Sequence, residues 1–298
     1  AEINYCEPIT LPAELCSGWQ PYGEWIYWRL NPGSLPMGVE IVGSTISGKT
    51  YNVPSEYAGG YRVGIRKTTG CLDFDASYTY INHKPHGHAT NLSAVTQPSI
   101  GITSTTSTTV DARYAHRLDT IDIQGGLQLS PNCCIDLRIF LGPKITFISD
   151  SYRKSTASTT ITADLKSNQK LNLYGGTGGV DAAWKWTSWF QIFGTASIDL
   201  YYADVTKRHR LNSTESSVTT TVFESRESTI RAMSTINGRI GIRLCFRTFC
   251  QTDVIFSGGY EIHHWPDYEF IALLHPTPGS NRDSSTYDGL FTRFDIRF

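Results

Sequence analysis

Hydrophobic and polar residues alternate along much of the chain, and the C-terminal segment 290–298 shows the pattern in its simplest form. Its apolar set is Leu290, Phe294, Ile296 and Phe298, and its polar set is Arg293, Asp295 and Arg297. Such alternation predicts a β-strand with one apolar and one polar face. It is typical of a half-buried strand in a soluble sandwich, and equally of an outer-membrane strand whose apolar face meets lipid. The lengths of the connections and the charge on the polar face distinguish the two.

The same pattern predicts about ten strands, over residues 23–31, 60–68, 72–82, 113–129, 134–150, 170–185, 189–205, 228–244, 251–264 and 287–298. Short connections at 69–71, 130–133, 186–188 and 245–250 alternate with long ones at 32–59, 83–112, 151–169, 206–227 and 265–286. Outer-membrane barrels have short periplasmic turns and long extracellular loops. We therefore expect an all-β, antiparallel up-and-down transmembrane barrel over residues 21–298, preceded by a periplasmic tail over 1–20.

The polar face of these strands carries both signs of charge. In a barrel this face lines the lumen, where charge is compatible with the bilayer because it points away from lipid. We expect a narrow lumen crossed by ion pairs rather than a field of one sign. The candidate pore-lining residues are Arg62, Arg66, Asp73, Asp75, Asp122, Asp136, Arg138, Lys144, Asp181, Lys185, Asp199, Arg231, Arg239, Arg243, Asp253, Glu261, Arg293, Asp295 and Arg297.

Aromatic residues cluster near the predicted strand ends. They are Trp25, Tyr27, Trp28, Tyr78, Tyr80, Trp184, Trp186, Trp189, Phe190, Tyr201, Tyr202, Tyr260 and Trp265. Membrane barrels carry aromatic girdles at both interfaces with water, and large aromatic residues also fill ordinary protein cores. Both sides of the 186–188 turn are aromatic. This favours the girdle.

The composition narrows the protein class. The chain has 298 residues and a net charge of −1, and its mean hydropathy is −0.25. No apolar run is long enough to predict a transmembrane helix. The near-neutral charge and the absence of a basic run argue against nucleic acid as a partner. The first residues show no basic and apolar leader, which we interpret as a mature outer-membrane protein after removal of a signal peptide.

Seven cysteines occupy the N-terminal tail or positions at the short connections: Cys6, Cys16, Cys71, Cys133, Cys134, Cys245 and Cys250. In the expected topology all of them lie at the periplasmic end. The periplasm is oxidising, so we expect disulfides there. An odd number leaves a free thiol or a bridge to another chain, and the connectivity does not follow from the sequence.

Two motifs suggest chemistry weakly. His83, His86 and His88 could hold a metal ion if they converged, although a solvated loop explains them as well. Residues 43–50 match the phosphate-binding loop pattern, but Pro54 and β-branched residues follow where a helix should begin. No nucleophile, base or carboxylate pair stands out. We therefore expect no cofactor, no resident metal and no enzymatic activity.

Several segments resemble the Legionella-type major outer membrane protein family, the pore-forming barrels also found in chlamydia-related bacteria. They are Tyr22-Gly-Glu-Trp-Ile-Tyr-Trp28, the hairpin formed by 119–129 and 135–148, Gly259-Tyr-Glu-Ile-His-His-Trp265, and the closing strand 289–298. The terminal Phe298 is also similar to the signal that the outer-membrane insertion machinery reads. The resemblance implies a pore-forming function, and the cysteines resemble those of the disulfide-linked envelopes of chlamydia-like bacteria.

Three functions remain open at this point. The leading interpretation is a porin for small polar solutes or ions, held in the outer-membrane bilayer. The second is a structural or adhesive barrel, a homo-oligomer or one disulfide-linked to other envelope proteins, whose loops contact a host or a neighbour. The third is a soluble, lectin-like β-sandwich, which a lack of detergent dependence would reveal.

Overall fold

The computed structural model describes residues 18–31, 36–40, 50–92, 95–97, 102–104, 108–132, 134–157, 161–215, 217–247, 252–266, 268 and 284–298. The strands are β1 (Gly18–Asn31), β2 (Pro36–Glu40), β3 (Thr50–Asn52), β4 (Tyr57–Thr69), β5 (Leu72–His83), β6 (His86–Leu92), β7 (Val95–Gln97), β8 (Ile102–Ser104), β9 (Thr108–Asn132), β10 (Ile135–Ala157), β11 (Ile161–Lys185), β12 (Phe190–Glu215), β13 (Val218–Arg247), β14 (Asp253–Trp265) and β15 (Ser285–Arg297). Within these residues, no helix is both long and apolar enough to cross a membrane.

The main sheet has 11 strands and closes into a ring. Its antiparallel order is β10-β11-β12-β13-β14-β15-β1-β4-β5-β9, and β9 pairs with β10 to complete the circle. The remaining strand, β6, pairs with β9 beyond the point where β5 ends at His83. β2, β3, β7 and β8 form a separate small sheet. The expected all-β barrel of about ten wall strands is therefore confirmed.

One end of the ring holds the start of β1, the end of β15 and the short turns. β1 pairs with β15, and the Phe298 N–H donates to the Trp19 carbonyl at 3.1 Å. The β4–β5 turn at this end contains Gly70, whose φ of 61° is in the left-handed region that glycine adopts without strain. This is the periplasmic end, because membrane barrels carry their short turns there.

The outer surface carries an apolar belt. On β10, Ile139 and Leu141 are 46% and 71% exposed, and on β13 Ile240 is 64% exposed. Farther along the same face of β10, toward the end opposite the short turns, come Ser149 and Arg153. The belt therefore ends within the strand, and the rest of β10 projects beyond the lipid.

Five strands, β9 to β13, extend far beyond their predicted ends and form what we call the tall wall. Two of the expected long loops, 151–169 and 206–227, are mainly strand, because β10 continues to Ala157 and β12 to Glu215. These segments are rich in Ser and Thr, which suited a loop. Threonine is β-branched and favours strands, and outside the lipid neither face needs to be apolar. The polar composition therefore did not mark a loop.

Part of the predicted aromatic girdle is wrong. Trp25, Trp186 and Trp189 are between 53% and 60% exposed on the outer surface. Trp28, Tyr201 and Trp265 are instead buried inside the ring. The alternation of each strand places them on the inward face, so they fill the lumen rather than anchor the barrel in the membrane.

Candidate functional site

The interior of the ring is the candidate site. The predicted pore residues all occupy inward positions of their strands. Those near the short turns are the most accessible: Lys185 and Asp136 pair at 2.8 Å with side chains 37% and 40% exposed. Asp253 and Arg297 lie opposite each other at the same end.

A central cluster of charges joins four strands. Arg62 of β4 pairs with Glu24 of β1 and reaches Glu261 of β14 at 3.4 Å. Arg239 of β13 pairs with Glu24 at 2.6 Å. Two strands, β14 and β15, separate β13 from β1 in the ring, so this pair crosses part of the lumen. His263 adjoins Glu261 at 3.7 Å.

Glu24 was missed by sequence reasoning. It lies in a segment of β1 that is otherwise aromatic and aliphatic, and it shares its inward face with Tyr22, Ile26 and Trp28. A carboxylate in the middle of an apolar face was the available signal. Its partners Arg62 and Arg239 stand on other strands, so the closed ring is needed to see the pairing.

Two further cations each lie between two carboxylates. Arg138 contacts Asp73 at 2.7 Å and Asp181 at 2.8 Å. Lys144, six residues farther along β10, contacts Asp199 at 2.8 Å and Asp122 at 3.9 Å. Two further pairs are bonded at 2.5 and 2.8 Å: Arg293 with Asp295 and Arg66 with Asp75. The Arg231 and Arg243 guanidinium groups also belong to the interior; Arg243 lies 4.9 Å from the Phe193 ring centroid.

The opposite end of the lumen is crossed by an outer cluster, which we define as Tyr114, His116, Asp150, Tyr268 and Tyr287. The Asp150 carboxylate accepts hydrogen bonds from the Tyr114 and Tyr268 hydroxyls at 2.9 and 2.5 Å and contacts His116 Nδ1 at 2.5 Å. The Tyr287 hydroxyl lies 2.9 Å from His116 Nε2. Burial, reinforced by Asp150, raises the pKa of Tyr114 and of Tyr268 well above the ordinary value, so both remain donors.

Trp265 adds an aromatic layer to the outer cluster. Its ring stacks on Tyr201 at a centroid distance of 5.8 Å and meets Tyr268 edge-on at 5.9 Å. Tyr268 belongs to a connection that the sequence predicted only as a long loop. Because β10 and β14 stand on different sides of the ring, the Tyr268–Asp150 bond spans the lumen.

The three candidate metal-binding histidines do not converge. His83 is buried in the interior and bonds the Glu56 carbonyl at 2.6 Å. His86 and His88 are exposed, and each lies 3.1 Å from Asp111. Across the described residues, no group of three His, Cys, Asp or Glu side chains is arranged to hold a metal ion. The structure therefore separates His83 from His86 and His88, which share Asp111.

The described cysteines lie at the periplasmic end. Cys71 and Cys245 are free thiols. Backbone bonds of 2.7 to 2.9 Å join Gln128 to Cys71, Lys185 to Cys134, and Cys245 to Trp189, so the cysteine-bearing turns adjoin neighbouring strands on one rim. Cys6, Cys16, Cys133 and Cys250 lie outside the described residues, as does most of the phosphate-loop match at 43–50.

A comparison with protein families decides the assignment. The profile of the Legionella pneumophila major outer membrane protein precursor matches residues 10–297. The chain belongs to this family. The family and the barrel together place the protein in the bacterial outer membrane. None of the curated proteins matches the chain in sequence.

Solved structures with a similar fold are also outer-membrane barrels. The outer membrane protease OmpT of Escherichia coli is 9% identical, with 95% of each chain covered and a TM-score of 0.38. A deletion mutant of the monoaromatic hydrocarbon channel TodX is 10% identical, with 97% of this chain and 93% of that chain covered and a TM-score of 0.35. The NalP translocator domain of Neisseria meningitidis is 12% identical, with coverages of 94% and 88% and a TM-score of 0.32. At these identities and TM-scores, the three structures carry no argument beyond the barrel fold already described.

Proposed function

We propose that this barrel is a narrow porin through which small ions and polar solutes diffuse passively, without a catalytic step. The observation that carries the proposal is the run of ionisable side chains along the interior. It extends from Lys185 and Asp136 at the periplasmic mouth, through Arg138 and Lys144, to Asp150 at the outer end. An apolar channel would not need this lining, and each charge removed from water requires compensation.

Several buried polar atoms of the lining support a hydrated interior. Asp122 Oδ1, Asp199 Oδ1, Arg239 Nε and His263 Nε2 have no hydrogen-bond partner among the described residues. Buried polar atoms are almost always bonded to protein or to ordered water. Water in the lumen would supply hydrogen-bond partners for these atoms. A small hydrated ion could follow the same path.

The pairs and the outer cluster keep the proposed pore narrow. An eight-stranded barrel is just filled by its side chains, whereas about sixteen strands leave an aqueous channel. A ring of ten strands lies between these limits, and here Arg239–Glu24 and Tyr268–Asp150 reduce its free width further. Because both signs of charge are present and paired, selectivity between cations and anions should be weak.

Conductance of the purified protein in planar bilayers tests the proposal. We expect a small unitary conductance with weak selectivity. Replacing Arg231, Arg239 and Arg243 together by Gln should favour cations, because carboxylates are then in excess. Heat-modifiable gel mobility verifies that the variant is folded. A wide channel with strong anion preference in the unmodified protein would contradict the proposal.

A structural role in the envelope is the second candidate, and the rim of cysteines favours it. Free, exposed Cys71 stands at the periplasmic end and could bridge to another copy or to another envelope protein. Intact cells should then contain oligomers that reduction converts to monomers, with no conductance from the purified barrel. A membrane-impermeant thiol reagent should label Cys71 only in opened cells, and labelling of intact cells would overturn the assigned orientation.

A further inference from the structure

The outer part of the tall wall has two edges, and among the described strands only one of them is paired. β6 covers the outer part of β9, with His86 opposite Arg113 and Leu92 opposite Thr108. At the other edge, β14 pairs with β13 only between Ile236 and Arg247. Residues 218–230 of β13 are bonded to β12 on one side. On the other side they pair with no strand of the described chain.

This segment, which we call the β13 edge, is exposed on both faces. Val218, Val222 and Phe223 are 66%, 53% and 41% exposed, although valine and phenylalanine favour paired strands. An open edge presents unpaired N–H and C=O groups and is a template for a further strand. Natural edge strands prevent such pairing with charged side chains. In residues 218–230 the charged side chains are Glu224, Arg226 and Glu227.

The outward side chains around Arg226 define the charge of a fitting partner. Arg226 stands directly opposite Arg208 of β12. Arg208 is paired with Glu224 at 2.8 Å, and Arg210 bonds Asn212 and Thr221. Within two positions of Arg226, the outward face of β12 and β13 therefore holds three guanidinium groups and one carboxylate. A side chain on an added strand would lie about 5 Å from Arg226 across the pair, where opposite charges stabilise and like charges destabilise.

We propose that the β13 edge binds an extended acidic segment of another polypeptide outside the cell by strand addition. Backbone bonds to residues 218–230 supply the affinity, as in other cases of β-augmentation. A carboxylate of the partner pairs with Arg226 and supplies specificity. The carboxylates of Glu224 and Glu227 disfavour an acidic side chain directly opposite them, which favours the register that places the partner's carboxylate at Arg226. The inference is independent of whether the lumen conducts.

Synthetic peptides and the full barrel in lipid nanodiscs test this proposal. The probe is a strand of about twelve residues that alternates Thr and Val around one central Glu, which spans the edge. A matched peptide has Lys in place of Glu, and a third is the Glu peptide with every backbone nitrogen methylated. Fluorescence anisotropy should show the Glu peptide binding roughly tenfold more tightly than the Lys peptide, because only its charge complements Arg226. Methylation should abolish binding, since it removes the N–H donors of both edges of the peptide.

The variant Arg226→Glu should invert the preference between the two charged peptides. Hydrogen–deuterium exchange supplies an independent readout: amides of 218–230 that β12 does not bond should exchange rapidly and slow down when the Glu peptide binds. Binding that is insensitive to methylation or to Arg226→Glu would overturn the proposal, as would no binding. Slow exchange without peptide would also overturn it, because another part of the chain or a second copy would then cover the edge.

Discussion

Removing the Glu24 carboxylate tests whether charges inside the barrel behave as buried ion pairs. The Glu24 side chain is fully buried, and its partners Arg62 and Arg239 are only 14% and 15% exposed. Breaking a buried pair leaves an uncompensated charge and costs about 3–5 kcal/mol. Glu24→Gln leaves two guanidinium groups facing a neutral amide. It should therefore lower the free energy of unfolding by about 3–5 kcal/mol.

An exposed pair of similar length provides the control. Glu224 and Arg208 pair at 2.8 Å with side chains 44% and 61% exposed. Pairs of this kind are screened by solvent and often contribute nothing measurable, so Glu224→Gln should leave stability unchanged. Urea unfolding in detergent, followed by tryptophan fluorescence, measures both variants. If Glu24→Gln destabilised the barrel no more than Glu224→Gln, the interior would be solvated like the surface, and the paired-lumen description would fail.

Three further predictions concern the belt, the outer cluster and a buried lysine. Ile139→Arg, on the lipid face, should destabilise the folded barrel by about 2–4 kcal/mol and reduce the folded yield in gel-mobility assays. Ser149→Arg, on the same face beyond the belt, should be tolerated. Equal yields for the two variants would contradict the assigned limits of the belt. Replacing Trp265 and Tyr268 together by Ala should increase unitary conductance, and an unchanged value would place the constriction elsewhere. Burial lowers the pKa of Lys154, which lies beyond the belt, to about 8. The charged form of Lys154 therefore destabilises the folded state below that pH. This destabilisation disappears as the pH rises toward the ordinary pKa of about 10.4. Lys154→Met should accordingly stabilise the protein more at neutral pH than in alkali, by about 3 kcal/mol, in urea titrations; the same gain at both pH values would contradict this.

The membrane part of the barrel could be predicted because its signal is local. A period of two along one strand separates lipid-facing from inward residues, so Phe294 and Arg293 were assigned to opposite faces from their neighbours alone. Outside the lipid this signal disappears, because water contacts both faces. The outer parts of the tall wall, at 151–169 and 206–227, were therefore predicted as loops. Yet the β-branched threonines of 213–221 are compatible with a strand.

Contacts across the lumen could not be predicted in the same way. Tyr268 and Asp150 are 118 residues apart in sequence, and their distance depends on the closure and tilt of the ring. The inward position of Trp28 shows the same limit. Its alternation with Trp25 and Tyr27 was visible, but a run of aromatic residues at a strand end suggested one girdle. The structure divides this run between lipid and lumen.

The outer cluster and the β13 edge should act independently, because the ring separates them. Asp150 belongs to β10, whereas the edge belongs to β13, and β11 and β12 stand between them. Outer parts of these strands remain fully paired, with Asp150 opposite Gln169 and Arg208 opposite Arg226. Tyr268→Ala should therefore change conductance without changing the affinity for the Glu peptide, and Arg226→Glu should do the reverse. Measured on the same nanodisc preparations, a change in both properties from either variant would show that the tall wall transmits strain between pore and edge.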